Sequence, residues 1–323
     1  MFLVSLCLFC TGCRLPAQMS GASGAVPAYE VTDIQGTVTQ MPDKPQRILT
    51  LSMGTDEIML GLVPPERMAA VNSLLDDPVE SNITVLAQQI PMKTGNPGVE
   101  EIAALQPDLV IVPDWGNLEP VEALRDLGLK VVVCKGVRNR EDIRETITLL
   151  AAAAGEPQRG EKLLQKMDAK LADIQAQVAE IPSGQRKSVV LVSLMSSYGG
   201  IGCTFDDACH YAGVTNGMSL AGIHSGQTMS KEQLVKINPD VLFLPTYTNH
   251  GSYDVQSFCQ QYLDDPALQS MKAVQQQSLR EPREGYIYNG SQDFVFGVQE
   301  IAYMVYGDAF YQPADEHLTA VDE

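Results

Sequence analysis

Two stretches of the chain share one pattern of apolar and polar positions. Residues 100–113 run EEIAALQPDLVIVP, and residues 232–245 run EQLVKINPDVLFLP. Glu100 aligns with Glu232, Pro107 with Pro239, Asp108 with Asp240 and Pro113 with Pro245, at a constant offset of 132 residues. Apolar Ile102, Leu105, Leu109 and Ile111 fall on Leu234, Ile237, Val241 and Phe243. Each copy predicts a short amphipathic helix, a Pro-Asp turn and a buried strand. The stretch 109–112 is apolar throughout, as a parallel strand covered on both faces should be. A gap-free match of this kind implies two lobes of similar design.

The same periodicities fill out each lobe. Residues 47–52 (RILTLS) predict a strand, with Gly54-Thr55-Asp56 capping a helix over 57–62. Further helices are expected over 119–127 and 141–154, with a strand at 130–134 between them. In the second half, 188–193 (SVVLVS) and 241–244 predict strands, while 233–237 and 292–306 predict helices. Strand–helix alternation of this kind makes α/β units with mainly parallel sheets. Between the repeat copies, Leu163, Leu164, Met167, Leu171, Ile174, Val178 and Ile181 form one apolar stripe at three- and four-residue spacing. Gly155-Glu156-Pro157 precedes this stripe and Pro182-Ser183-Gly184 follows it, so one long connector helix over about 158–181 is expected.

Charge narrows the function. The 323 residues carry 40 acidic and 22 basic side chains, a net charge of −18. Nucleic-acid binding needs a basic footprint, and adhesion to anionic lipid needs the same. Both are excluded as the main activity. Hydrophobic residues make up 45%, which excludes a wholly disordered chain. No internal apolar run reaches the roughly 18 residues of a membrane span.

The first thirteen residues, MFLVSLCLFCTGC, read as a short apolar run ending in small residues and a cysteine. That is the form of a secretory signal. Cys10-Thr11-Gly12-Cys13 resembles a bacterial lipobox, which implies lipidation at Cys13, although Cys10 stands where Leu is usual and no Lys or Arg precedes the run. A Gly-, Ala-, Ser- and Pro-rich tether follows to Ala28. Of the remaining cysteines, Cys203 and Cys209 are close enough for a local disulfide. With His210 they match no standard zinc spacing.

Four passages together resemble one family: the substrate-binding proteins of ABC importers, of the iron-chelate and cobalamin type. They are 31–52 (VTDIQGTVTQMPDKPQRILTLS), 95–112 (GNPGVEEIAALQPDLVIV), the connector helix, and 229–245 (MSKEQLVKINPDVLFLP). The resemblance spans about 31–311 and implies two α/β lobes joined by a single long helix, with a ligand cleft between them. The expected organisation is a lipoprotein signal at 1–13, a tether and hairpin at 14–44, and an N-terminal lobe at 45–156. The connector then takes 157–182, the C-terminal lobe 183–312 and an acidic tail 313–323.

The resemblance also assigns roles. An exposed Glu on each lobe docks into Arg pockets of the permease in such proteins, and Glu100 and Glu232 match that pattern. It implies a monomer that serves a permease dimer with its cytoplasmic ATPase, anchored by lipid on the outer face of the cytoplasmic membrane. The bound ligand would be a metal chelate, namely a ferric siderophore, haem or a corrinoid, with no catalytic cofactor. Ligands of open α/β sheets sit beyond the carboxyl ends of strands. The loops there hold Ser52, Met53 and Thr55, then Trp115, Tyr198 and Tyr247; the resemblance adds Lys93 and His224 near the cleft. Trp115 offers a stacking face for a flat ligand, and His224 an axial ligand to haem iron or cobalt. Few cations lie near these loops, beyond Lys93, Arg138 and Arg140, so a less charged chelate is expected.

Rival classes find less support. A zinc or manganese site wants converging His and carboxylate ligands, and the chain has only His210, His224, His250 and His317. No motif supports a small oxyanion. An exported hydrolase-like enzyme is the alternative from another class. The glycine fingerprint begun by Gly200 and Gly202 ends on Phe205, and the elbow-like 222–226 has His224 where Ser is needed.

Overall fold

The structure is a computed structural model that describes residues 28–116, 118–194, 197–246 and 254–321. The chain opens on an antiparallel hairpin of β1 (Tyr29–Thr32) and β2 (Val38–Met41). The N-terminal lobe then builds a five-stranded sheet from β3 (Ile48–Thr50), β4 (Met68–Asn72), β5 (Lys93–Thr94), β6 (Leu109–Pro113) and β7 (Val131–Cys134). Its order is β5-β4-β3-β6-β7, and every pair is parallel. Helices α1 (Met53–Leu62), α2 (Thr84–Ala87), α3 (Val99–Ala104), α4 (Glu119–Asp126) and α5 (Arg140–Ala153) connect the strands.

The 23-residue helix α6 (Pro157–Ala179) leads to the second lobe. There β8 (Ser188–Leu191), β9 (Thr215–Asn216), β10 (Val241–Phe243) and β11 (Leu279–Arg280) form a parallel sheet in the order β11-β10-β8-β9. Its helices are α7 (Thr204–Tyr211), α8 (Gly217–Leu220), α9 (Lys231–Ile237), α10 (Val255–Leu263), α11 (Lys272–Gln275), α12 (Glu284–Ile287) and α13 (Phe294–Tyr306).

Alternation along the strands explains the layering. In the first lobe Ile48, Leu109, Ile111 and Val132 face α1, α5 and α6, while Leu49, Val110, Val131 and Val133 face α3 and α4. Both sheet faces are covered, which is why these strands are apolar without interruption. Leu163, Met167, Leu171, Ile174 and Val178 of α6 are buried in the same core as Phe294, Val298 and Ile301 of α13. One apolar core therefore runs from lobe to lobe along the connector. Against the outer face of the second sheet, Val190, Leu242 and Leu244 pack with Met218, Leu234 and Leu268.

The repeat folds alike in both copies. Gln106 and Asn238 occupy matching positions and both adopt the left-handed conformation, at φ 50° and 48°. Each ends its helix and turns the chain into the Pro-Asp step. The Asp108 carboxylate accepts from the backbone N–H of Gln46 (2.6 Å) and Arg47 (2.9 Å), just ahead of β3. The Asp240 carboxylate accepts from Ser188 N–H (2.8 Å) and Ser188 Oγ (2.9 Å), at the start of β8. The repeated aspartate thus fixes the register of the neighbouring strand to its own in each lobe.

Candidate functional site

Strand order locates the site. In the first sheet the chain leaves β3 for β4 and β5, then returns to β3's other side with β6. In the second it places β9 on one side of β8 and β10 on the other. Such reversals open a crevice at the carboxyl ends of the strands. The loops beyond β3 and β6 carry Ser52, Met53, Thr55 and Trp115; the loop beyond β8 leads to Tyr198.

The two edges meet. A Cβ placed on Gly54 would lie 3.2 Å from the Gly290 carbonyl oxygen, and one on Gly290 would lie 2.7 Å from Val137. Gly285 N–H donates to the Val79 carbonyl (3.0 Å), and Arg140 N–H donates to Asp207 Oδ2 (2.7 Å). These contacts join the two lobes.

Each helix that feeds a parallel strand runs back against it, so its first turn lies at the carboxyl edge of the sheet. This places Glu100 and Glu232 on the same edge as the cleft loops, each as the second residue of its helix and each exposed. Ser230 and Gln233 form a reciprocal capping box on α9. Glu232's own N–H and then Ser230 hold its carboxyl below the usual range. At α3 the corresponding cap is Gly98, with no side-chain bond.

The expected ligand residues divide into two groups. Trp115 is 69% exposed. Asp114 Oδ1 accepts from Gly136 N–H (2.6 Å), and a Cβ at Gly136 would stand 2.6 Å from the indole Cδ1. Only glycine lets the ring lie this close to the loop after β7. His224 is exposed, on a loop joined to Ile201 by a parallel bridge. Met53 and Ser52 are half-buried at the start of α1, where Ser52 Oγ caps Thr55 N–H (3.3 Å).

The other expected residues are engaged within the protein. Thr55 is buried and donates to the Ser52 carbonyl (2.9 Å), so its hydroxyl serves the helix turn. Lys93 is ion-paired with Asp76 and donates to the Ala87 carbonyl (3.0 Å), so its charge is neutralised within its own lobe. Tyr198 packs against Tyr288 in a tilted ring pair with centroids 4.7 Å apart, and its hydroxyl bonds Thr204 Oγ1 (2.8 Å) and Phe205 N–H (3.2 Å). Burial raises its pKa well above that of a free tyrosine. It braces α7. Cys203 and Cys209 are free, buried thiols, and burial raises both. Tyr247, His250 and Cys13 lie outside the described residues.

Sequence reasoning missed an acidic group at the lobe seam. Glu284 Oε1 accepts from Thr246 N–H (2.6 Å) beyond β10. Glu80 opposes it from the first lobe, its pKa pushed up to about 8 by burial, then by Glu284 and Asp77. Above them Tyr288 donates to Ser193 Oγ (2.7 Å). Their separation in sequence left no local signal. No cluster of three metal-ligating side chains occurs among the described residues, and none of their helices is long and apolar enough to cross a membrane.

Known proteins match this architecture. The Fe(3+)-citrate-binding protein YfmC of Bacillus subtilis (strain 168) is 21% identical over 305 residues, covering 90% of this chain and 88% of YfmC. A vitamin B12-binding protein of Salmonella typhimurium (strain LT2) is 33% identical over 138 residues, covering 41% of this chain and 48% of that protein. The periplasmic heme-binding protein RhuT from Roseiflexus sp. RS-1, in its apo form, superposes with a TM-score of 0.69 at 22% identity, covering 81% of this chain and 98% of RhuT. A model of the periplasmic binding protein family matches residues 48–283. With two parallel sheets, one connecting helix and this match over most of its length, the chain belongs to the periplasmic binding protein family.

Proposed function

We propose that the protein is the extracytoplasmic substrate-binding component of an ABC importer, which takes a metal chelate between its lobes and delivers it to the permease. The observation that carries this reading is the opposition of two strand-order reversals across one seam, with Glu100 and Glu232 on the rim of the same edge. Rim charges of this kind steer and orient docking more than they add affinity. Trp115, His224, Met53 and Ser52 are the ligand contacts this arrangement favours. An anchor at Cys13 would keep the protein at the membrane that holds the permease.

Charge selects among the chelates named for the relatives. Ferric citrate and catecholate complexes are anionic and need cations to replace water. Lys93 is paired with Asp76 and Arg140 with Asp168 (2.6 Å), while Glu80 and Glu284 add acid to the seam. Arg138 is the one exposed guanidinium beyond β7, and it makes no ion pair among the described residues. A corrinoid, whose rim is mostly neutral amide and whose ring can lie on Trp115, fits this balance best. A ferric complex is the second reading, favoured by the match to YfmC along nearly the whole chain.

The chain has one tryptophan, so its emission reports on this loop alone. Titration with cyanocobalamin, haemin and ferric citrate should give saturable quenching, strongest for cyanocobalamin, with the same order by native mass spectrometry. Tighter binding of ferric citrate would overturn the ligand assignment. Binding of none of the three, with turnover of an ester or nucleotide instead, would overturn the transport reading.

A further inference from the structure

Residues of the expected acidic tail cross from one lobe to the other. Glu316 N–H donates to Tyr286 Oη (2.9 Å), and its carbonyl accepts from Asn82 Nδ2 (2.8 Å) in the first lobe. Leu318 N–H donates to Asp293 Oδ1 (2.9 Å) in the second lobe. Ala320 N–H then donates to the Gly61 carbonyl (2.8 Å) on α1, and Lys166 of α6 donates to the Thr319 carbonyl (2.6 Å). Within seven residues the segment bonds both lobes and the connector.

Gly61 marks where these parts converge. A Cβ there would stand 2.9 Å from Gln292 Nε2, 3.1 Å from Leu163 Cδ2 and 3.1 Å from the Leu318 carbonyl oxygen. Those atoms belong to the second lobe, the connector and the crossing segment. Beneath them Asn289 Nδ2 donates to Glu57 Oε2 (2.8 Å), and Gln292 Nε2 donates to the Glu57 carbonyl (2.9 Å) and the Leu318 carbonyl (3.2 Å). His317 Nδ1 lies 2.7 Å from Asp293 Oδ2, which also accepts from Asn82 Nδ2 (2.8 Å).

We infer that residues 315–321 are a strap that fixes the spacing of the two lobes below the cleft, with the His317–Asp293 pair as its latch. The inference bears on the proposed ligand site only through that spacing.

The groups facing the latch are Glu57 from α1 and Asp293 ahead of α13, with Lys166 and Arg159 of α6 bonding nearby carbonyls. Burial would lower His317, but the charge and hydrogen bond of Asp293, and then Glu57, outweigh it and raise its pKa. Glu57 is pushed up to about 8 by burial, then by Asp293. Both groups bind protons more tightly in the folded seam, so both contribute most at low pH and lose that contribution as pH rises through the folded values. The strap therefore loosens in alkali.

Hydrogen exchange of the full chain, corrected for intrinsic rates, tests this without any ligand. In a chain ending at Ala314, amides of α1 and of 289–298 should exchange about tenfold faster at neutral pH, while β6 and β7 stay protected. His317→Gln should expose the strap amides and shrink their loss of protection as pH rises. In the shortened chain, affinity for cyanocobalamin, haemin or ferric citrate, whichever binds the full chain, should fall about tenfold. Unchanged exchange at the seam would overturn the strap, and so would loss of protection in β6 and β7, which would make the segment part of the folding core. Wild-type exchange in His317→Gln would overturn the latch. Failure of all three probes to bind would count against the transport reading and leave the exchange result to decide the strap.

Discussion

The two copies of the helix–Pro-Asp–strand unit share a backbone path and differ at their ends. Gln106 and Asn238 turn left-handed at φ 50° and 48°, and Asp108 and Asp240 clamp the start of the adjacent strand in the same way. Helix α9 begins on the Ser230–Gln233 capping box, and Ser230 also holds the Glu232 carboxyl, whereas α3 begins on Gly98 with no side-chain cap. Asp240 also pairs with Lys272; burial would raise its carboxyl, but Lys272 and Ser188 outweigh that and hold it low. The common features make the fold, and the differing ones tune how firmly each rim glutamate is held. If Glu100 and Glu232 are the docking points proposed above, the C-terminal lobe presents the stiffer one.

Reversing both charges should produce the largest effect. Glu100→Arg with Glu232→Arg is expected to abolish uptake in proteoliposomes while leaving chelate affinity within about twofold. Of the single variants, Glu232→Arg should impair uptake more, because its side chain is already oriented. Equal single effects would remove the distinction between the docking points.

Next come the clamps. Asp108→Ala strips the partner from two backbone donors and Asp240→Ala from the Ser188 N–H and hydroxyl, and each should cost about 1–3 kcal/mol in urea denaturation. The Asp240 variant should cost slightly more through Lys272. A negligible loss in either would show that the repeated aspartate has no clamping role in that lobe.

A smaller, pH-dependent effect sets the first lobe apart. Asp56 is wholly buried, accepts from Asn72 N–H (2.8 Å) and pairs with Thr50 Oγ1, tying β3 to β4. Burial pushes it up to about 8. Because the folded value is raised, its favourable contribution is full below the unfolded pKa of about 4 and declines as pH climbs toward 8. Melting temperature should therefore fall over that window, and Asp56→Asn should flatten the slope. A slope unchanged in the variant would assign the effect to other groups.

The smallest test concerns the caps themselves. Ser230→Ala should cost about 1 kcal/mol, while Gly98→Ser should gain a few tenths of a kcal/mol. Gly98 already has extended geometry, and a Cβ there meets nothing within 4 Å. If Gly98→Ser also restored parity between the single charge reversals, the cap would be the cause of the difference.

Much of the fold was legible because its long elements carry strong periodicity. The stripe from Leu163 to Val178 gave α6, and the repeat gave both inner strands. Short or two-residue strands were not legible: MAAVN at β4 is rich in helix-favouring alanine, and Lys93–Thr94 is too brief to show any period. At the site, Trp115 and the rim glutamates sit where strand order places them. Asp76, the Ile287 carbonyl and Asp293, which meet Lys93, Tyr198 and His317, lie 17, 89 and 24 residues from them, and only the fold brings them together. Nothing in the acidic tail's own sequence points to Asp293 and Gly61, which bond Leu318 and Ala320.

The hairpin decides where a pull on the N-terminal segment would be felt. Tyr29 Oη donates to the Ala153 carbonyl (3.0 Å), Ile34 N–H to the Val133 carbonyl (3.2 Å), and Arg125 to Asp33 Oδ2 (2.9 Å). Load entering along β1 meets the hydrogen bonds to β2 in shear and passes into α5 and the β7 edge. The sixteen-residue step from Cys13 to Tyr29 reaches roughly 50 Å when extended. A molecule leashed there would take tension in at its first lobe, leaving the second outside the direct line of load.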